Sequence, residues 1–319
     1  MIVAVIPCYR VKDHILSVLA GIPASIERIY CVDDACPQAS GNIIEAECSD
    51  PRVRVLRHTQ NQGVGGAVMT GYAAALADGA EIVVKIDGDD QMPMNMLGSL
   101  LQPILSGRAD YTKGNRFYFL RDLEGMPPSR LFGNAVLSFL TKLSSGYWSV
   151  FDPTNGFTAI HRAALSRLRL RTIKRDYFFE SDMLHHLYLE RAVVIDVPMP
   201  AKYGDAGSSL SVLGSILPFL RGNLRNFLRR LLYTYYVRDL NIASLEFVLS
   251  LLLISGGSLW EVLQLWESVE TGIAATVGEA LIGLLPIIMG FQMLLAAIHY
   301  DTRNMPDRPL QTLDQLPQR

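Results

Sequence analysis

Cysteine is scarce in this chain of 319 residues. There are four, Cys8, Cys31, Cys36 and Cys48, all within the first fifty positions and none in a CxxC or Cys/His spacing. That argues against a structural zinc site and for a reduced, cytosolic setting. An excess of one charge is missing as well. The formal net charge is −2, so nucleic acid is not an expected partner. There is no GxxxxGK[ST] phosphate loop and no GxSxG elbow, and "NQGVGGAVMTGY" is glycine-rich without matching GxGxxG, which disfavours a dinucleotide fold. The opening "MIVAVIPCYR" carries only a short apolar run, broken by Pro7 and without a basic lead-in. It reads as a first strand, not a signal peptide. No internal repeat or low-complexity segment occurs.

The near-neutral average hides an asymmetry. Residues 242–260 and 273–297 are long apolar runs with one charge each, Glu246 and Glu279. A helix needs roughly 20 mostly apolar residues to cross the hydrocarbon core, so both qualify as spans. Pro286 in the second is tolerable in a membrane helix. The two glutamates lie near span ends, where they can snorkel to the interface. Arg221, Arg225, Arg229, Arg230 and Arg238 precede the first span, and Arg303 and Arg308 follow the second. The connector has Glu261, Glu267 and Glu270 and no basic residue. The positive-inside rule then places the large N-terminal part and both termini in the cytoplasm, at the inner or plasma membrane in a bacterium. Arg221, Arg225 and Arg229 recur every four residues among leucines, as expected of a helix lying in the interface with its arginines at lipid phosphates. The expected organisation is a catalytic domain over 1–210, basic interfacial helices over 211–240, a two-helix membrane region over 241–299 and a loose polar tail over 300–319.

Before residue 210 the pattern alternates. Residues 2–6, 28–34, 52–58, 81–87 and 191–199 read as strands, and 65–76 reads as a helix. Such alternation predicts an α/β domain with a mostly parallel sheet, whose ligands bind beyond the carboxyl ends of the strands. Pro7 to Arg10, Asp33 and Asp34, and Asp87 to Gln91 all fall there. In "EIVVKIDGDDQMP" Asp87 and Asp89 bracket a glycine. On a turn such a pair can direct hard oxygen ligands at one divalent cation, Mg²⁺ or Mn²⁺, which completes its shell with phosphate oxygens and water. A metal so held neutralises a diphosphate leaving group.

"VIPCYR", "CVDDACP", "KIDGDDQ" and the paired C-terminal spans together resemble family 2 glycosyltransferases, in particular the polyprenyl-phosphate subgroup that includes dolichol-phosphate mannose synthase. The resemblance covers nearly the whole chain. It implies a GT-A nucleotide-diphospho-sugar transferase domain followed by amphipathic helices and two transmembrane helices. It implies that Pro7 and Tyr9 line the base pocket, that Asp33 and Asp34 contact base or ribose, and that Asp87 and Asp89 sit at metal and diphosphate with Gln91 as the trailing glutamine. Ala35 and Cys36 depart from the family's usual Gly-Ser. The acceptor phosphate is assigned to Arg116, Arg130 and Asn134, within a basic stretch that also holds Lys113 and Arg121. Arginine suits this because its planar fork binds phosphate oxygens in pairs. Asp152 and Asn155, in "FDPTNGF", match a segment near the acceptor side. Lys202, with Ser208 and Ser209, matches a loop that closes over the diphosphate. Glu180 and Asp182 are a possible general base, orienting groups for Arg116 or Arg130, or helix caps. A homo-oligomer is implied as well.

The expected reaction is inverting transfer of a sugar from a nucleotide-sugar, UDP in preference to GDP because Asp34 could accept the uracil imide, to a membrane polyprenyl phosphate. Transfer to a saccharide hydroxyl would instead require Glu180, Asp182 or Asp152 as base. A catalytically inactive membrane scaffold is the reading from another class.

Overall fold

The computed structural model describes residues 1–123, 126, 128–200 and 212–313. Seven strands, β1 (Ile2–Cys8), β2 (Arg28–Asp33), β3 (Val53–Arg57), β4 (Ile82–Lys85), β5 (Tyr111–Asn115), β6 (Thr158–His161) and β7 (Val194–Pro198), form one sheet in the order β3-β2-β1-β4-β6-β5-β7. Only β6 runs against the others. The helices are α1 (Ile15–Ala20), α2 (Ser40–Glu47), α3 (Val64–Ala77), α4 (Leu97–Leu105), α5 (Pro128–Ser145), α6 (Arg162–Leu165), α7 (Phe179–Leu189), α8 (Val212–Leu232), α9 (Ile242–Thr271), α10 (Val277–Arg303) and α11 (Leu310–Leu313).

The period of two along β1 divides the core. Val3 and Val5 join one buried cluster with Val68 and Tyr72 of α3 and Leu184 and Tyr188 of α7. Ala4 and Ile6 join a second with Val18 of α1 and Leu100 and Ile104 of α4. A mostly parallel sheet must be covered on both faces, and its central strands are accordingly apolar on both.

The five strands and the helix expected from patterning are present. β5 and β6 are additions. "YTKGN" does not read as a strand because of Lys113, yet Lys113 is 1% exposed, with its ammonium 2.8 Å from the Asp152 carbonyl and 3.2 Å from Asp196. Lysine is almost never so buried unless paired, and here the partners lie on distant segments.

The chain divides into two compact units, Met1–Leu228 with Pro306–Arg319, and Arg229–Met305. In the second unit α9 and α10 pack antiparallel, with Gly257 and Gly290 close against the facing helix. Small residues permit such approach between apolar helices. Both helices are long and apolar enough to cross a membrane. α9 runs to Thr271, so most of the expected connector is helical. Glu279, placed by its sequence position as a snorkelling residue, closes a capping box with Thr276 at the start of α10, accepting from the Thr276 amide and hydroxyl at 2.7 Å each. Arg230, counted among the basic residues before the first span, is 1% exposed and paired with Asp301. Arg221, Arg225 and Arg229 are exposed on α8.

The polar tail does not lie loose over its described part. Asp110, fully buried, accepts from the Leu310 and Gln311 amides at 2.9 and 3.1 Å, and Gln311 donates to the Ala109 carbonyl. Leu310 joins the first core cluster. These contacts hold α11 on the sheet domain.

Candidate active site

The strand ends build the site. β4 is a buried Ile-Val-Val-Lys run. Beyond it the chain turns through Asp87 and Gly88 to Asp89 and Asp90, with Asp90 in the left-handed region at φ 59°. Asp87, Asp89 and Gln91 line one crevice together with Arg116, Asn155 and Gly156. Arg116 follows β5 directly. Asn155 and Gly156 lie in the loop that enters the reversed strand β6.

Asp87 gives one oxygen, Oδ1, to the Lys85 ammonium at 2.7 Å. Its other oxygen faces Gly156. Asp89 accepts from the Gln91 amide at 3.2 Å. Burial, reinforced by the nearby Asp87 carboxylate, raises the Asp89 pKa above the ordinary value. A carboxylate whose charge is disfavoured by burial, and then by the carboxylate beside it, forms with that neighbour a donor set that a divalent cation would relieve. Magnesium-type ions take one or two protein carboxylates and leave the remaining positions to phosphate and water. Among the described residues no third His, Cys, Asp or Glu joins the pair into a metal-holding group, so the donor set fits a metal shared with a phosphate-bearing ligand.

Arg116 is held rigidly. Its Nε and Nη2 each donate to Asp152 at 2.8 Å, a two-point fork. Asp152 is fully buried, at φ 52°. Burial raises its pKa, but the paired hydrogen bonds from Arg116 outweigh this and leave it below the usual carboxylate value. Asn155 donates to the same carboxylate at 3.2 Å. Asp152 and Asn155 thus orient the arginine in the crevice wall.

The other expected site residues are distributed differently. Asp33 is 5% exposed and accepts from the Cys36 and Gly41 amides at 2.8 and 2.7 Å, fixing the entry to α2. Asp34 is 2% exposed. One of its oxygens accepts from the Gln62 amide and meets His58 Nδ1 at 2.6 Å, and the other accepts from the Gly63 amide. The carboxylate expected to receive the uracil imide also braces the loop before α3, through two backbone amides and the His58 ring. Tyr9 is 41% exposed beyond the end of β1, with the Arg10 guanidinium 5.4 Å from its ring centre. Pro7 is partly buried on β1 beside Val32 of β2. Neither lines the crevice that holds the carboxylates. Asn134 is partly buried on α5. Arg130 occupies the same helix one turn earlier, and its side chain lies outside the described residues, as do Lys202, Ser208 and Ser209.

Glu180 and Asp182 open α7, where acidic groups favour the helix N-terminus. Asp182 accepts from the Lys174 amide and from Asn226 Nδ2 of α8 at 2.8 Å each. Glu180 meets Lys85 at 3.4 Å. Burial, opposed by Lys85 and reinforced by Asp87, pushes its pKa up to about 7. Lys85 was not foreseen as part of the site. Burial lowers its pKa, but Asp87 and Glu180 outweigh this and hold it above the usual lysine value. The available signal was a lone lysine in an otherwise apolar strand, two positions before Asp87 and hence on the same strand face.

A nearly parallel sheet with one reversed strand, and an Asp-x-Asp turn facing an arginine across a crevice at the strand ends, define a GT-A glycosyltransferase domain. The sequence profile described as "Glycosyl transferase family 2" matches residues 3–169, and the chain belongs to that family. Among curated relatives it is 29% identical over 217 residues to the UDP-N-acetylglucosamine–dolichyl-phosphate N-acetylglucosaminyltransferase of Methanococcus voltae, covering 64% of this chain and 86% of that protein. It is 25% identical over 212 residues to the undecaprenyl-phosphate mannosyltransferase of Micrococcus luteus, covering 65% and 86%. A solved structure of glucosyl-3-phosphoglycerate synthase from Mycobacterium tuberculosis, in complex with Mn²⁺, UDP and glucosyl-3-phosphoglycerate, shares the fold with a TM-score of 0.55 at 19% identity, covering 72% of this chain and 79% of that one.

Gly156 is required by this packing. A methyl group at that position would run into the Asp87 carboxylate and the Lys85 ammonium. Gly156→Ala is expected to cost about 1–3 kcal/mol of stability by overpacking and to lower turnover by about 10²-fold by displacing Asp87. Denaturant unfolding together with a nucleotide-release assay checks both.

Proposed function

We propose that this chain transfers a sugar from a nucleotide-diphospho-sugar, UDP-linked in preference to GDP-linked, to a membrane polyprenyl phosphate. The observation that carries the reading is the placement of a forked, carboxylate-oriented Arg116 in the same crevice as Asp87 and Asp89. A phosphate monoester has its second pKa near 6 and is already anionic at neutral pH, so it needs positioning and charge compensation and no general base. Arg116, with Arg130 and Asn134 of α5, is assigned to the acceptor phosphate. The acceptor oxygen attacks the anomeric carbon opposite the leaving group. The new C–O bond forms as the bond to the diphosphate breaks, configuration inverts, and UDP departs with the electron pair. When bound at Asp87 and Asp89, a divalent cation offsets the charge that builds on the departing diphosphate.

A hydroxyl acceptor would need a base at the crevice. Glu180 is engaged by Lys85 and does not line the crevice, and Asp152 is spent on Arg116, which favours the phosphate acceptor. The dolichyl- and undecaprenyl-phosphate acceptors in the names of the relatives support it, as does a pair of helices long enough to hold the chain where such lipids reside. The UDP preference is supported by the donor in the name of the first of those relatives. The sheet domain is assigned to the cytoplasmic side because, within the helix-pair unit, Arg229 and Arg238 precede α9 and Arg303 ends α10, whereas Glu267 and Glu270 lie in the last turns of α9.

The test uses detergent-purified full chain with Mn²⁺, a short polyprenyl phosphate and a panel of UDP- and GDP-sugars, following nucleotide diphosphate release. Release from one donor that requires the lipid phosphate is the expected result. Release that requires a saccharide instead would overturn the acceptor assignment, and none with any donor would favour the inactive scaffold. Arg116→Lys keeps the charge but loses the two-point contact with Asp152 that orients it in the crevice wall. It should raise KM for the lipid phosphate by about 10- to 100-fold, the scale of one or two charge-assisted hydrogen bonds, while KM for the donor changes little.

A further inference from the structure

Lys85 is the last residue of β4 and is 1% exposed, among the largest fully buried side chains of the described protein. Three groups surround its ammonium: Asp87 Oδ1 at 2.7 Å, Glu180 Oε1 at 3.4 Å, and the Phe179 ring with its centre at 5.6 Å. A buried charge costs several kcal/mol to desolvate, and packing alone is served as well by an apolar residue of the same size. The shorter contact is to the crevice carboxylate. Asp87 itself is 33% exposed and lines the crevice, so the buried ammonium holds its Oδ1 from the protein side, while Oδ2 packs with the ammonium against Gly156, which lines the crevice as well.

We infer that Lys85 is a positioning residue for the crevice: it takes one oxygen of Asp87, leaves the other to face an incoming ligand, and ties that carboxylate to α7 through Glu180. The inference rests on the reading of Asp87 and Asp89 as metal-holding carboxylates. Metal-ligating groups are commonly oriented by partners behind them, whose loss weakens metal affinity by about 10- to 100-fold. Lys85 fills that place with a charge. A carboxylate bonded on one oxygen keeps its other oxygen for a ligand, and the contact restricts the Asp87 rotamer before ligand arrives. The second contact matters because Glu180 belongs to the first turn of α7, two residues before Asp182, whose carboxylate is held by Asn226 of α8. The orientation of Asp87 is thereby anchored to the helical layer as well as to the sheet.

A different role is conceivable for the same lysine: neutralising Glu180. The two separate by experiment. Lys85→Met leaves Glu180 buried without its cation. The double variant Lys85→Met/Glu180→Leu removes both charges and keeps the fold testable. Mn²⁺ is titrated into the purified full chain, with and without UDP, and free Mn²⁺ is read by electron paramagnetic resonance, so no turnover is needed. Positioning predicts that Lys85→Met binds Mn²⁺ about 10- to 100-fold more weakly than wild type. It also predicts that the double variant stays equally weak although its unfolding midpoint recovers. Recovery of Mn²⁺ affinity in the double variant to within about twofold of wild type, the usual additivity error, would reduce Lys85 to a counter-ion for Glu180 and overturn the inference, as would wild-type affinity in Lys85→Met. If wild type binds no Mn²⁺ even with UDP present, the metal reading itself falls and the inference falls with it.

Discussion

Asp89→Asn is expected to lower kcat/KM for sugar transfer by about 10³-fold while leaving the protein at least as stable as wild type in the absence of metal. The loss follows from removing one of two carboxylates able to hold the cation that offsets the leaving diphosphate. Stabilisation of that kind is worth several kcal/mol, and each 1.4 kcal/mol is a factor of about ten in rate. The stability half follows from the sign of the pKa shift. Burial, then repulsion from Asp87, raises the Asp89 pKa in the folded state. A group that holds its proton more tightly when folded destabilises the fold wherever it is ionised. That cost is present at neutral pH and disappears as pH falls through the raised value. Asparagine has the same shape and no charge, so the variant lacks the penalty at every pH. Thermal unfolding should therefore show a midpoint equal to or above wild type at pH 7, with the difference closing on acidification. Added Mn²⁺ should raise the wild-type midpoint and leave the variant's unchanged, because a ligand stabilises only a fold that binds it. A variant that loses activity and unfolds early would show that Asp89 is a structural residue.

Asp301→Ala is expected to destabilise the unit Arg229–Met305 by about 3–5 kcal/mol, the cost of removing one partner from a buried ion pair. Arg230 is 1% exposed. Its two terminal nitrogens meet the two oxygens of Asp301 at 2.6 and 3.0 Å, and the Tyr235 hydroxyl donates to the same carboxylate. The pair joins the end of α8 to the last turns of α10. Removing the carboxylate takes two charge-assisted hydrogen bonds from a guanidinium that water does not reach. Arg230→Met/Asp301→Leu replaces both charges with apolar groups and is expected to recover most of the loss. Arg221→Ala, at an exposed position of α8, should change stability by less than about 0.5 kcal/mol. Denaturant unfolding in detergent separates the three, and equal midpoints for Asp301→Ala and Arg221→Ala would show that the pair contributes nothing.

These two expectations differ in where their information lies. Asp89 stands in a turn that the local pattern exposes: an apolar strand ending in Asp-x-Asp. Hydropathy and period alone determined the five expected strands, the glycine-rich helix α3 and the two apolar helices, because each is encoded over fewer than about thirty consecutive residues. The family was legible for the same reason, as its motifs are short and ordered. Arg230 looked like one more surface arginine beside a membrane helix, since nothing near it in the sequence announces Asp301, 71 positions away.

Lys85 and Lys113 were obscured by the same distance. Each is a cation inside a strand that becomes intelligible only when Glu180, 95 positions on, or Asp196 is brought beside it. The reversed direction of β6 and the use of Asp110 to capture the amides of α11 across 200 positions belong to the same class. Asp33 and Asp34 show the converse: the sequence placed two carboxylates at a strand end, and the tertiary structure shows which loop amides, and for Asp34 the His58 ring, hold them there. The sequence by itself determined which segments are strands, which helices are apolar enough for a membrane, and where acidic and basic groups cluster. Only the tertiary structure decided which of those charges are paired with one another and which face the crevice. A buried charge is governed by the partner it meets, and that partner is set by the fold and not by the neighbouring residues.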